Sequence, residues 1–292
     1  MSPPLGRHAY LIMAHADFEV LRVLLSRLDD NRNDIYLHID RKVRDVPDFN
    51  IVNARLFILD KRINVHWGSY RQIQLEMLLF STAFKNGSYT YYHILSGVDL
   101  PLKSQDYIHR FFQENHGKEF VGYWPENDWQ AEERITKYHF FMKYERGYPK
   151  YVNILFTRFR RLLQRTTQRL FGLRNTDFQP KKGPNWVSIT HDFCKYLLSK
   201  ENWIKKRFKH TYCGDEIFLQ SILWNSPFRE RLYDPYNTDN GSMREIDWER
   251  GTNSTPYTWQ IKDKEYLDSS EKLFARKFQS KIYLYNINKS NV

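Results

Sequence analysis

The stretch Arg7-His-Ala-Tyr-Leu-Ile-Met-Ala14 decides the fold class, because it is a short, mainly apolar run that stops at His15. Such a run, bounded by polar residues, is typical of a buried β-strand. After a predicted N-cap at Asp17, apolar residues follow at helical spacing: Phe18, Leu21, Leu24, Leu25 and Leu28. The chain therefore begins with a strand and a helix.

The same alternation continues through the first 125 residues. Strands are predicted at 35–39, 55–59 and 89–95, and helices at about 70–84 and after an N-cap at Ser104. This order is typical of a mostly parallel sheet with helices on both faces. We therefore predict a Rossmann-like α/β fold in a single domain.

The second half of the chain is less regular. A strand is predicted at 185–189, after the Gly183-Pro184 break, and a helix follows an N-cap at Thr190. A last short strand is predicted at 282–285. Because no internal repeat or low-complexity linker interrupts this half, it belongs to the same domain.

A buried helix is also predicted after Gly214, with Asp215 as its N-cap and Glu216 at its first position. An acidic residue there either complements the helix dipole or serves as a positioned base. The spacing alone favours the first interpretation, because capping acids are common and catalytic acids are rare.

The composition limits the kind of partner. The 292-residue chain has a formal net charge of +11, which favours nucleic acid, an anionic membrane or a phosphorylated substrate. Cys194 and Cys213 are the only cysteines, so we expect a reducing compartment and no disulfide framework. Residues 1–6 show no signal-peptide pattern, and no stretch approaches the roughly 18 apolar residues of a membrane span. We therefore expect a cytoplasmic protein, either soluble or peripherally bound to the inner face of the membrane.

The segment of about 150–182 carries many basic residues, with apolar residues at near-helical spacing among them. The pattern predicts a basic amphipathic helix, and two interpretations are open. The helix either rests on an anionic membrane or packs its apolar face on the domain. The basic residues are Arg158, Arg160, Arg161, Arg165, Arg169, Arg174, Lys181 and Lys182, and the apolar ones are Phe159, Leu162, Leu163, Leu170 and Leu173.

Four polar groups are predicted at the carboxyl ends of strands: His15, Asp40, the Trp67-Gly68-Ser69 turn and Asp99. Each one alone is explained by a turn or a cap. In open α/β sheets, however, ligands bind beyond the carboxyl ends of the strands. Together these groups therefore predict a binding crevice at that edge.

Several familiar site motifs are absent. The sequence contains no Gly-x-Gly-x-x-Gly, Walker A, Gly-x-Ser-x-Gly or His-Glu-x-x-His motif. It also lacks an Asp-x-Asp pair at a strand end, the usual mark of metal-dependent nucleotide-sugar enzymes. We therefore expect no metal site.

Seven short motifs follow one another along the chain: His8-Ala-Tyr-Leu-Ile-Met-Ala-His15, Tyr36-Leu-His-Ile-Asp40, Val65-His-Trp-Gly-Ser69, Leu95-Ser-Gly-Val-Asp-Leu-Pro-Leu102, Gly183-Pro-Asn-Trp-Val-Ser-Ile-Thr190, Gly214-Asp-Glu216 and Leu273-Phe-Ala-Arg-Lys-Phe278. Together they resemble the core-2/I-branching family of glycosyltransferases, which includes β-1,6-N-acetylglucosaminyltransferases and peptide O-xylosyltransferases. The likeness spans about residues 8–278. Eukaryotic members of the family carry a membrane anchor, a stem and many cysteines. The sequence shows none of these features and therefore resembles a bacterial member.

The resemblance implies a GT-A-type fold and an inverting transfer that needs neither a metal ion nor another cofactor. It implies a UDP-sugar donor, with UDP-GlcNAc as the first expectation and UDP-xylose or another UDP-sugar as the alternative. The acceptor would be a glycan or a lipid-linked glycan in the synthesis of bacterial surface polysaccharide. Residues 8–125 would form the nucleotide-sugar-binding half, and residues 126–292 the acceptor and catalytic half.

The resemblance also implies roles for single residues. Glu216 matches the catalytic base, and Lys277 and Arg244 match the cations that meet the donor diphosphate. The nucleotide-sugar crevice would be lined by His15, Asp40, Trp67, Gly68 and Asp99, and the acceptor would contact Glu133 and Trp186. In such a transfer, two fixed cations can stabilise the charge of the departing UDP in place of a divalent ion.

Two other classes of protein stay open. A basic nucleic-acid-binding protein would fit the net charge, but the basic residues cluster in one segment and no nucleic-acid-binding module is recognisable. We therefore expect no nucleic-acid partner. A sugar-binding protein without catalytic activity would share the crevice, and only an assay with UDP-sugars separates it from an enzyme.

Overall fold

A computed structural model describes residues 6–142, 150–252 and 255–281 of the protein. The strands, in chain order, are β1 (His8–Ala14), β2 (Asn33–Ile39), β3 (Arg55–Ile58), β4 (Tyr91–Ser96), β5 (Asp99–Pro101), β6 (Ser188–Thr190), β7 (Arg244–Ile246) and β8 (Phe274–Arg276). The helices are α1 (Phe18–Arg27), α2 (Arg71–Asn86), α3 (Gln105–Glu114), α4 (Asp128–Thr136), α5 (Lys150–Phe171), α6 (His191–Ser199), α7 (Glu201–Phe208), α8 (Phe218–Trp224), α9 (Thr238–Ser242) and α10 (Lys264–Ser269).

The central sheet has the strand order β3-β2-β1-β4-β6. Strand β1 pairs in parallel with β2 and β4, and β2 pairs in parallel with β3. Only β6, at the edge of this sheet, runs antiparallel to its neighbour β4. The prediction of a mostly parallel α/β fold is therefore confirmed.

Both faces of this sheet are buried, as expected where helices cover a parallel sheet on each side. All seven residues of β1 are buried. Ala9, Leu11 and Met13 pack with apolar residues of α2, α6 and α8. Their neighbours Tyr10, Ile12 and Ala14 pack with α1 and α3 on the opposite face. Alternate side chains of β1 thus pack into two hydrophobic cores, one on each face of the sheet.

A second, three-stranded sheet was not predicted from the sequence. Its order is β5-β8-β7, with β8 antiparallel to β5 and parallel to β7. Each of its strands has only three residues, which is too short to show a period of two. Because Asp99 is paired with Arg276, this sheet brings the end of the described chain to the segment that follows β4.

Some predicted helix boundaries were correct and others were not. The hydroxyl groups of Ser104 and Thr190 accept hydrogen bonds from the backbone N–H groups of Tyr107 and Phe193, which confirms both caps. The prediction that Asp17 caps α1 was wrong. Asp17 adopts a left-handed backbone, and its carboxylate instead accepts a hydrogen bond from Ser280 N at 3.0 Å.

The predicted start of the helix at Asp215 was also wrong. Gly214–Glu216 forms a 3₁₀ turn, and α8 begins only at Phe218, because Ile217 has a non-helical φ of −127° between them. Glu216 is therefore held by the turn and not by the first turn of the α-helix. The predicted strand at 282–285 lies outside the described residues.

The predicted basic helix is present as α5, but it ends at Phe171 and does not continue to residue 182. Within the described residues, no helix combines the length and the apolar composition needed to cross a membrane.

Candidate active site

The site is built where the parallel strands end. The N–H of Asp40 donates to Ala14 O at 2.8 Å, and the N–H of Gly97 donates to Met13 O at 2.9 Å. These bonds hold the chain segments after β1, β2 and β4 next to one another. The structure therefore places His15, Asp40 and Asp99 at one edge of the sheet, where ligands bind in this class of fold.

Asp40 organises the loop beyond β2. Its buried carboxylate accepts hydrogen bonds from the N–H groups of Lys42 at 2.8 Å and Val65 at 3.0 Å. The second bond ties this loop to the segment that leads to Trp67. Asp40 thus fixes the shape of the edge.

His15 is an exposed residue at the same edge. Desolvation by surrounding protein atoms lowers the pKa of His15, Lys42 and Arg276 lower it further, and Asp40 opposes the shift. These charges therefore face the same space, and the imidazole is favoured in its neutral form.

Asp99 is paired with a cation that was not selected from the sequence. Its carboxylate accepts bonds from Ser96 N at 2.6 Å, Ser96 Oγ at 2.7 Å and Arg276 Nη1 at 2.7 Å. The Arg276 guanidinium also lies over the ring of Trp186, 4.2 Å from its centroid. Arg276 is therefore fixed in position at the sheet edge, and its place next to Lys277 in the motif was the signal for it.

Lys277 is the second cation here. It is partly exposed, and burial, with a further contribution from Arg276, lowers the pKa of its ammonium. Within the described part of the chain, the Lys277 ammonium forms no ion pair or hydrogen bond. Arg276 and Lys277 together can thus receive an anionic group such as a diphosphate.

Arg244 lies elsewhere, and its predicted place in the crevice needs correction. Its guanidinium is 2% exposed and donates to Ser242 O, Val187 O and Ser188 Oγ at 2.8, 3.2 and 3.0 Å. It lies 4.3 Å from the ring centroid of Phe274, and burial lowers its pKa to about 10. As the structure stands, Arg244 joins β7 to β6 inside the protein and does not reach a surface ligand.

Glu216 lies partly exposed, with 28% of its side chain accessible. Its Oε2 accepts a hydrogen bond from Arg134 Nη1 at 2.9 Å, and Lys182 Nζ lies 3.6 Å away. No described protein group bonds to Oε1. One oxygen is therefore held by two cations, while the other is available to a ligand.

Two more carboxyl groups lie behind Glu216. Glu76, on α2, is 1% exposed, and its Oε1 accepts from Gln72 Nε2 at 3.0 Å and Asn185 Nδ2 at 3.4 Å. Burial, then the charge of Asp215, raises the pKa of Glu76 well above its usual value. Burial, then the charge of Glu216, raises the pKa of Asp215. Burial thus disfavours charge on Glu76 and Asp215, and the cations Arg134 and Lys182 lie next to Glu216.

The turn at Trp67 and Gly68 packs against the chain that carries Glu216. Cys213 N donates to Gly68 O at 2.9 Å, and the Trp67 ring meets the Tyr212 ring edge-on at 5.5 Å. Gly68 has a φ of +71°, which favours glycine, and a Cβ there would lie 2.7 Å from Tyr212 Cε2. This turn therefore supports the segment before Gly214–Glu216.

The two residues predicted to contact an acceptor occupy different environments. Glu133, on α4, is exposed and forms an ion pair with Lys137. Trp186 is only 9% exposed, and Arg276 lies over its ring. In this structure Trp186 supports Arg276, and the residue of α4 that reaches Glu216 is Arg134.

One segment, 182–186, connects the two parts of the site. Lys182 lies next to the Glu216 carboxylate, and Gly183 N donates to Glu216 O at 2.9 Å. At the other end, Trp186 lies beneath Arg276. The carboxylate and the Arg276–Lys277 cations are thus linked by a short, continuous stretch of chain.

Comparison with known families adds to this geometry. The family model described as Core-2/I-Branching enzyme matches residues 8–270, which is most of the chain. The chain belongs to the Core-2/I-branching enzyme family. Membership implies glycosyltransferase activity, with a sugar donor and a glycan acceptor. The matched range includes Glu216 and ends before Arg276 and Lys277.

A search of curated proteins found no match to this chain. Among the described residues, no group of three or more His, Cys, Asp or Glu side chains is arranged to hold a metal ion.

Proposed function

We propose that this member of the Core-2/I-branching family is an inverting, metal-independent glycosyltransferase that uses a UDP-sugar. UDP-GlcNAc is the first donor to test, and UDP-xylose is the alternative within the same chemistry. The acceptor in this proposal is a hydroxyl of a free or lipid-linked glycan in bacterial surface polysaccharide synthesis. The two cysteines are buried and unpaired, which fits a reducing compartment such as the cytoplasm.

The observation that carries the proposal is the link between Glu216 and the Arg276–Lys277 cations through residues 182–186. A carboxylate oxygen open to a ligand suits a base, and an unpartnered ammonium beside a fixed guanidinium suits a diphosphate. A glycosyl transfer to an alcohol needs both groups around one sugar.

In the proposed reaction, the acceptor hydroxyl oxygen attacks C1 of the donor sugar from the face opposite to UDP. Glu216 Oε1 takes the hydroxyl proton as the new C–O bond forms, and the bond to the UDP oxygen breaks. Such a base commonly contributes about 10²–10⁴-fold to the rate. Arg276 and Lys277 stabilise the charge that develops on the departing diphosphate.

Arg134 and Lys182 have a different role, because both contact Glu216 Oε2. They hold the carboxylate in one orientation, so that Oε1 points to the acceptor. The ring of Tyr212 packs against Arg134, with 5.6 Å between the guanidinium carbon and the ring centroid. Orientation of a base in this way is worth a large part of its catalytic effect.

The test is an assay of transfer and donor hydrolysis with a panel of UDP-sugars, for the wild type and Glu216→Gln. We expect the variant to lose transfer by about 10²–10⁴-fold and to keep its affinity for UDP. Glu230→Gln is the matched control, because Glu230 is exposed and lies outside the site. Normal turnover by Glu216→Gln would show that another group is the base.

Two further results of the same assay bear on the proposal. Binding of UDP without transfer or hydrolysis of any donor would identify a sugar-binding protein. Full activity in EDTA is expected for the metal-independent mechanism, whereas loss in EDTA with recovery on addition of Mn²⁺ would contradict it.

A further inference from the structure

Helix α5 keeps apolar side chains on its solvent side, which is unusual for a helix of a globular domain. Seven apolar side chains of α5 are between 46% and 74% exposed, and five of these share one side of the helix: Tyr151, Leu155, Phe159, Leu162 and Leu170. At about 100° per residue, all five fall within an arc of about 100° on the helix. We call these five residues the apolar stripe.

Packing on the domain explains a different face of α5. Phe156 and Leu163 are only partly exposed, and the ring of Phe156 lies 6.3 Å from that of Phe141. Phe156 and Leu163 are therefore less exposed than most of the apolar stripe, which borders them on the helix. The ring of Phe141 packs against one member of the stripe, 5.8 Å from the ring of Phe159.

A row of arginines borders the apolar stripe. Arg158, Arg161, Arg165 and Arg169 are all exposed, and they occupy the adjoining arc of about 80°. The 22 residues of α5 include no Asp or Glu. No described acidic side chain forms an ion pair with these four arginines, so their charge is left for a partner.

We propose that α5 docks the protein on an anionic lipid surface. The apolar stripe enters the boundary between headgroups and acyl chains, and the four arginines meet the headgroup phosphates. A nucleic acid would pair with the arginines but would leave the apolar stripe in water. A second copy of the chain would bring two rows of arginines together, which like-charge repulsion opposes.

The helix also lies near the Glu216 part of the site. Burial, and then the charge of Arg160 on α5, lower the pKa of His139, whose ring lies 5.9 Å from that of Tyr212. The side of α5 that carries Arg160 therefore faces the part of the protein that holds Tyr212. The docking proposal does not depend on the proposed function.

Flotation with phosphatidylcholine vesicles, with and without phosphatidylglycerol, tests the proposal. We expect the protein to float only with phosphatidylglycerol, and less as salt is added, because screening weakens the attraction. Arg158→Gln combined with Arg165→Gln should weaken binding about 30-fold, at roughly 1 kcal/mol for each arginine near the surface. Lys205→Gln combined with Lys206→Gln is the matched control, because it removes two exposed positive charges from α7.

The apolar stripe needs its own variant. Leu155→Ser combined with Leu162→Ser should also weaken flotation at least tenfold, since each exposed leucine loses its contact with the acyl boundary. Val52→Ser, at a side chain that is 88% exposed, is the matched control and should float like the wild type. Thermal unfolding of each variant shows whether the fold is kept.

The proposal is overturned if the protein does not float with phosphatidylglycerol, or if neither α5 variant weakens flotation. Tighter binding to random duplex DNA than to vesicles would assign the arginines to nucleic acid instead. A concentration-dependent dimer that Leu155→Ser and Leu162→Ser abolish would assign the stripe to a second copy. Transfer to a soluble acceptor should be unchanged in the α5 variants, so a failed transferase assay leaves the docking result intact.

Discussion

The two edges of the central sheet differ in how many bonding partners the protein supplies to their charged side chains. At the amino edge, Asp34 of β2 is fully buried, forms ion pairs with Arg7 and Arg55, and accepts a hydrogen bond from Tyr89 Oη at 2.5 Å. At the carboxyl edge, the Lys277 ammonium has no partner among the described residues. At the amino edge, Asp34 is therefore satisfied within the protein, whereas at the carboxyl edge Asp99 is satisfied by Arg276 and the Lys277 ammonium is left for a ligand.

The difference shows how to separate structural charges from functional ones. A charge whose partners are all supplied by the fold contributes to stability, and its removal leaves those partners unsatisfied. A charged side chain at a strand end that has few protein partners contributes little to the stability of the fold. Such a side chain is in position to bind a ligand. The number of partners therefore says more about function than the type of residue.

Arg244 belongs with the structural charges, because both of its Nη atoms bond to acceptors of the fold and only its buried Nε has no described partner. Its Nη2 donates to Ser188 Oγ at 3.0 Å, and Ser188 Oγ is bonded to His93 Nδ1 at 2.8 Å. His93 Nε2 in turn lies 3.1 Å from His8 Nδ1. Arg244 is thus one end of a buried polar row that joins β7, β6, β4 and β1.

Among the variants that test this contrast between the edges, the largest effect is expected at the carboxyl edge, from Lys277→Met. The methionine keeps the apolar stem but removes a charge that would meet the donor diphosphate, so kcat/KM for the UDP-sugar should fall about 10²–10³-fold. The free energy of unfolding should change little, because no described partner is left unsatisfied. Initial rates and chemical denaturation measure the two quantities.

Lys262→Met is the matched control for this variant, because Lys262 is exposed and lies outside the site. It should keep the wild-type kcat/KM. If Lys277→Met destabilises the protein and leaves UDP binding unchanged, Lys277 is a structural charge and the contrast between the edges fails.

The opposite result is expected at the amino edge, from Asp34→Asn. Loss of the charged acceptor should lower the free energy of unfolding by about 2–3 kcal/mol, because Arg7, Arg55 and Tyr89 lose a buried partner. UDP binding should stay unchanged. Asp45→Asn, at an exposed position, is the control and should unfold like the wild type.

This effect should also depend on pH. Burial alone would raise the pKa of Asp34, but hydrogen bonds from Arg55, Tyr89 and Arg7 reverse this and lower it. A carboxyl group with a lowered pKa in the folded state stabilises the protein above its unfolded pKa of about 4 and loses that contribution as the pH falls. The stability difference between wild type and Asp34→Asn should therefore shrink below about pH 4. A constant difference would indicate that packing, not charge, is lost.

The sequence predicted those parts of the fold that have a long period or a local signal. Strand β1 and helix α1 follow from apolar spacing, and Thr190 follows from cap chemistry. Strand β7 has only three residues, so no period indicated that Arg244 points inward. Its motif context favoured a ligand role, and its burial becomes visible only in the structure.

The candidate site shows the same limit. Glu216 could be selected because its motif is local, but its partner Arg134 is 82 positions away in the chain. Such a pairing depends on how α4 packs against the Gly214–Glu216 turn, and no short pattern encodes it. Glu76 carried no signal at all, because an acidic residue in a helix is ordinarily on the solvent side.

The smallest effect is expected from Gly68→Ala, which tests whether the Trp67–Gly68 turn helps to position Glu216 through Tyr212. In Gly68→Ala, the φ of +71° costs about 1 kcal/mol of stability, and the new Cβ would also press on the Tyr212 ring at 2.7 Å. Because Tyr212 packs on Arg134, which holds Glu216, kcat should fall by a few-fold while UDP affinity stays the same.

Gly117→Ala separates the two causes. Gly117 has a φ of +84°, and nothing lies within 4 Å of the position of its Cβ, so this variant carries the backbone cost without the contact. Gly117→Ala should lose about 1 kcal/mol of stability and Gly68→Ala at least as much, but only Gly68→Ala should lose kcat. Equal kcat values in the two variants would mean that Tyr212 does not transmit the displacement, and that the turn supports the fold without positioning the base.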